Sequence, residues 1–107
     1  MTTDNDVLTA MITTCFSLSM NDAFSTDEQT EFLVLGKRLR GTLVNLLSAT
    51  FDDGTPAVVA ANSEIQTVNG QLNQATQNLA NVANTIQNLG NLVSTLDGLL
   101  KVASGFK

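Results

Sequence analysis

With 107 residues, ten acidic and five basic side chains and a net charge of −5, the chain has the length for one domain with a modest core. Its acidity argues against nucleic acid, whose phosphates are held by clustered Lys and Arg. The sequence has no His, Tyr or Trp, so it lacks the commonest general base, the commonest metal ligand and two stacking side chains. No enzymatic activity, catalytic residue, cofactor or metal site is therefore expected.

One Pro, five Phe and many helix-forming and small residues favour an all-α fold over a β-sandwich. The single Cys15 cannot form an intrachain disulfide, which suits a reducing compartment. The first six residues carry two Asp and no basic side chain, where a secretory signal would be basic, and no long apolar run follows. A cytoplasmic location is expected, with export that needs no signal left open.

The first helix is expected over about residues 6–20, with Asp4 or Asn5 as N-cap. Leu8, Ile12 and Cys15 or Phe16 form one apolar line, and Val7, Met11 and Leu18 form a second. A short helix that is apolar on two sides is normally sandwiched between neighbours. Cys15 has no basic neighbour in sequence to lower its pKa and reads as a buried structural thiol.

Residues 21–26 read as a break. Ser25 and Glu28 then have the spacing of a capping box, and Asp27, Glu28 and Glu31 favour the positive end of the helix dipole. The second helix is expected over about residues 26–51, with Phe32, Leu35, Leu39, Leu43 and Leu46 or Leu47 on its apolar line. Gly36 and Gly41 interrupt it and mark either close approach of another helix or local weakness. Lys37, Arg38 and Arg40 make the chain's one basic cluster, a small patch rather than a stripe.

Asp52-Asp53-Gly54-Thr55-Pro56 is the clearest punctuation and reads as a tight helix-to-helix turn: Gly54 suits a left-handed C-cap, Thr55 an N-cap and Pro56 the first helical residue. The triplet Asp52-Asp53-Gly54 lacks the alternating ligands and terminal Glu of a calcium loop.

Beyond it, apolar residues follow a three-then-four spacing: Val58, Ala61, Ile65, Val68, Leu72, Ala75, Leu79, Val82, Ile86, Leu89, Val93, Leu96, Leu100, Ala103. Seven heptads without a slip predict one long helix over about residues 57–103, roughly 70 Å, in a left-handed supercoil with partner helices. From Ile65 to Leu96 no residue is charged, and seven Asn and five Gln line the flanks. Those amides argue against a transmembrane span. They also leave partner choice to packing and amide hydrogen bonds, and let identical helices approach without repulsion.

The expected architecture is thus a single all-α domain over residues 1–107. Two shorter N-terminal helices pack on one long C-terminal coiled-coil helix, as a long hairpin or as a bundle with a projecting stalk. The expected function is a non-enzymatic interaction or scaffold protein that forms a homo-oligomer. Its interface is expected at Ile86, Leu89, Leu92, Val93, Leu96, Leu99 and Leu100, where β-branched residues at a and Leu at d are the combination favoured in parallel two-stranded coils. Two alternatives are an adaptor completing a helical bundle with a different protein, and a membrane-active subunit whose uncharged Val7–Met20 segment is too short to span a bilayer alone.

Overall fold

The computed structural model describes residues 2–103 in full and residues 105 and 106 by their backbone. The expected domain span of 1–107 also includes Met1, Ser104 and Lys107, which lie outside the described residues. Within them the chain is all-α, with four helices: α1 (Asn5–Ser19), α2 (Thr26–Ser48), α3 (Pro56–Asn73) and α4 (Val82–Leu99). A two-residue strand β1 (Ala49–Thr50) follows α2 and pairs antiparallel with β2 (Gly105–Phe106), Ala49 opposite Phe106.

The first turn is closed by side chains. Ser25 N–H donates to Glu28 Oε1 at 2.8 Å, and Glu28 N–H returns a bond to Ser25 Oγ at 3.2 Å, which completes the capping box. Gln29 Nε2 donates to the Asn21 carbonyl at 2.8 Å, and Ala23 N–H to Asn21 Oδ1 at 2.9 Å. The second turn uses backbone geometry: Gly54 sits at φ 75°, and Pro56 opens α3 at a position whose N–H has no helical partner. Helix α2 ends at Ser48, three residues short of the expected limit, where Ala49 becomes extended to pair with β2.

The third turn is where the structure departs from the sequence reading. The expected 57–103 helix is broken after Asn73 and restarts at Val82, with a 3₁₀ turn at Leu79–Asn81 between them. The three-helix architecture with a long hairpin or stalk is therefore replaced by four helices. The reason is a balance of burial. A straight helix would leave one half of its stripe in water, whereas folding back buries Leu89, Leu92, Val93, Leu96 and Leu99 within the chain, each 4% exposed or less. Each such side chain gains about 1.5–3 kcal/mol on burial. The few i→i−4 hydrogen bonds given up in the turn are worth about 1 kcal/mol net apiece.

The helices pack in a ring, α1 on α2, α2 on α4, α4 on α3 and α3 on α1, so that α2 and α3, consecutive in the chain, stand at opposite corners. Helices α2 and α4 run parallel: Leu35 lies beside Gly90, and seven residues on the Thr42 hydroxyl donates to Asp97 Oδ1 at 2.7 Å. The N-terminus is tied to α3 by Asp4 N–H to Asn62 Oδ1 at 2.9 Å and by Gln66 Nε2 to Asp4 Oδ2 at 3.2 Å. The bundle measures 42 × 21 × 19 Å.

Its core takes Leu8, Met11, Cys15, Phe32, Leu39, Leu46, Ile65 and Leu72, with Phe24 and Phe32 edge-to-face at 5.3 Å. Both apolar lines of α1 are used, as a sandwiched helix requires. The two helical glycines of α2 separate cleanly. A Cβ on Gly36 would lie 3.0 Å from Cys15 Cβ and 3.1 Å from Phe16 Cε1, so this glycine permits the close approach of α1, whereas Gly41 has open space around it.

Candidate association surface

The expected interface residues all lie on α4 or just beyond it. Leu89, Leu92, Val93 and Leu96 are fully buried and Leu99 is nearly so, while Ile86 and Leu100 are half-buried against the same core. The stripe is closed by the chain's own α2 and α3, so in the closed bundle these side chains face inward. The a and d positions of α3 are buried likewise, Val58, Ala61, Ile65, Val68 and Leu72, and so is Ala75 at the start of the turn.

Leu79 is the exception. It continues the heptad series, yet it sits in the third turn and is 50% exposed. Around it the turn is entirely polar or small, and it holds neither Gly nor Pro from Asn73 to Asn81. Gln74 has φ −100° and ψ 0°, Ala75 N–H bonds to the Leu72 carbonyl at 3.2 Å, and Gln77 N–H bonds to the Gln74 carbonyl at 3.0 Å. These are i→i−3 bonds of the 3₁₀ kind. Asn78, at φ −134° and ψ 63°, carries the sharp departure, and neither Asn78 nor Asn81 caps the helix that follows with its side chain.

The seam between α3 and α4 is lined by amides. A cavity of about 150 Å³ at the turn is bounded by Gln71, Gln74, Asn78, Asn81 and Asn84. A second, of about 230 Å³, is bounded by Glu64, Thr67, Gln71, Asn88 and Asn91. Between them Asn88 Nδ2 donates to Gln71 Oε1 at 3.1 Å. Glu64 Oε2 is buried at the second cavity with no hydrogen-bond partner. The heptad pattern placed these amides beside the stripe, but it could not place them across from one another, because that depends on the turn.

Elsewhere the chemistry is sparse. Cys15 is fully buried, and burial pushes its thiol up to about 12, leaving no thiolate at neutral pH. Among the described residues no group of His, Cys, Asp and Glu has the arrangement of a metal site. The basic cluster is exposed, with the Arg40 guanidinium 5.6 Å from the Phe16 ring centre. Helix α2 also exposes Val34, Val44 and Leu47, and it is Leu46, not Leu47, that completes its buried line. No described helix is long and apolar enough to cross a membrane, and Leu8, Met11, Ile12, Cys15 and Leu18 of the Val7–Met20 segment lie in the core.

Comparison with protein-family models, curated proteins and solved structures finds no match to this chain.

Proposed function

We propose that the chain is a non-enzymatic helical interaction protein that assembles with copies of itself through the apolar stripe of its C-terminal half. The observation that carries this reading is the heptad register, which passes from Leu72 and Ala75 through Leu79 to Val82 without a slip although a turn intervenes. Two helices joined by a turn need no common register, because the turn resets the phase. A register kept across it suits a helix that is also used unbroken against a partner, as in a coiled coil.

The flanks support the same reading. No charge lies between Ile65 and Leu96, so two copies bring no repulsion to the seam despite a net charge of −5 each. Amides at Gln71, Gln74, Asn78 and Asn88 offer donors and acceptors to the same set on another copy.

Absolute mass by light scattering during size-exclusion chromatography, over a wide range of loading concentrations, tests the proposal. A discrete multiple of 11.3 kDa that grows with concentration is the expected result. A monomer at every concentration would contradict it and direct attention to a foreign helical partner.

A further inference from the structure

From the geometry of the third turn we infer that self-association proceeds by exchange of α4: residues 74–81 straighten into helix, α3 and α4 become one continuous rod, and each α4 docks on the α2 and α3 of a second copy. This rests on the self-association proposed above and specifies how the buried stripe reaches another chain.

Three observations converge on the third turn. The first two turns of the chain are held by devices specific to a turn, a capping box with its Asn21 and Gln29 bonds, and Gly54 at φ 75° with Pro56. The third has no such device: no Gly, no Pro, no positive φ and no side-chain cap. Its two ends, Gln74 at φ −100°, ψ 0° and Asn81 at φ −104°, ψ 8°, stay in the helical half of backbone space, so straightening changes the dihedrals at Asn78 and replaces i→i−3 bonds by i→i−4 bonds. Leu79, half-exposed in the closed bundle, falls on the seam of the straightened rod beside Ala75 and Val82.

The occupant is a second copy because exchange remakes the same contacts. Thr42 to Asp97, Gln71 to Asn88, the pairing of β1 with β2 and the burial of Leu89, Leu92, Val93 and Leu96 all pass from within one chain to between two. Only the turn differs between monomer and dimer. The equilibrium is therefore controlled by substitutions in the turn and is insensitive to substitutions in the core contacts, a property that ordinary surface association does not share.

The test uses the full chain with Cys15→Ala, Thr67→Cys and Asn91→Cys, carrying spin labels at the two new cysteines and diluted into an excess of unlabelled chain. Thr67 and Asn91 line the same cavity in the closed bundle, so the intrachain distance is short there, whereas in a straight helix it is about 36 Å. Paired turn variants move the equilibrium in opposite directions. Thr76→Ala with Asn78→Ala favours helix through the turn and lowers the dimerisation concentration about tenfold or more. Gln77→Gly with Asn78→Gly raises it by a similar factor. All three positions are exposed, so both variants keep the bundle.

Dimers that carry the distance near 36 Å establish the exchange. Dimers whose intrachain distance stays short overturn it while leaving self-association in place. Monomers for every variant and concentration overturn both.

Discussion

Asn88 donates to Gln71 at 3.1 Å across 17 residues of chain, joining α4 to α3 at the amide seam. In one unbroken helix the same two residues would stand about 26 Å apart. The bond therefore belongs to the folded-back state of one chain, or to two chains that have exchanged α4. Asn88→Ala is expected to cost about 1 kcal/mol in urea unfolding of monomer and dimer alike and to leave the dimerisation concentration unchanged. A change in that concentration comparable to the effect of the turn variants would show that the seam, rather than the turn, governs association.

Gly36 and Gly41, five residues apart on α2, are expected to respond oppositely to alanine. At Gly36 the new Cβ meets Cys15 Cβ at 3.0 Å and Phe16 Cε1 at 3.1 Å, in the packed contact of α1 on α2. The overpacking cost of about 1–3 kcal/mol outweighs the gain in helix propensity. At Gly41 nothing lies within 4 Å, so Gly41→Ala stabilises by up to about 1 kcal/mol. Thermal midpoints of the two variants check the pair.

Cys15 makes stability depend on alkaline pH. Its thiol is held protonated in the fold, up to about 12, against 9.0 when exposed. Above pH 9 the unfolded chain loses this proton and the folded chain keeps it. Stability is complete below pH 9 and falls by about 1.4 kcal/mol per pH unit between 9 and 12. Cys15→Ala is expected to remove that share of the slope when unfolding is followed across the range. The native thiol should also resist a thiol reagent at pH 8 until denaturant is added.

Ser25→Ala removes the acceptor for Glu28 N–H and breaks the reciprocal box at the start of α2. A loss of about 1 kcal/mol is expected, which lowers the thermal midpoint by about 4–8 °C in a domain of this size. Helix content at low temperature should be retained.

These contrasts also explain what was readable in the sequence. The Ser25–Glu28 box and the Gly54-Thr55-Pro56 turn are written in residues that act on their own neighbours; the box, the left-handed Gly54 and Pro56 at the start of α3 stand where the sequence placed them, but α2 is capped at Ala49 rather than Gly54, and the Thr55 hydroxyl donates to the Asp52 carbonyl instead of capping α3. Gly36 was visible as an interruption, but its role needed α1 in place. The third turn was not readable, because Asn73 to Asn81 contain no residue that forbids helix, and the heptad series runs straight through them. What bends the chain there is long-range: the gain from laying Leu89, Leu92, Val93 and Leu96 against α2 and α3. Local pattern reports which face is apolar and leaves open whether its cover comes from the same chain. A consequence is that Leu89→Asp, which on a projecting stalk would dissociate an oligomer, is expected here to unfold the chain itself, since the charge enters a fully buried site. Loss of the helical circular dichroism signal at micromolar concentration would register this.

Small-angle X-ray scattering on a dilution series measures mass and shape together and addresses the central claim, that one stripe closes within a chain when dilute and across two chains when concentrated. The expected dilute limit is 11.3 kDa with a radius of gyration near 13.9 Å. Concentration should then double the mass and lengthen the particle toward the roughly 66 Å of a continuous helix from Pro56 to Leu99. A mass of 11.3 kDa at all concentrations, or a dilute monomer already as long as such a helix, would contradict it.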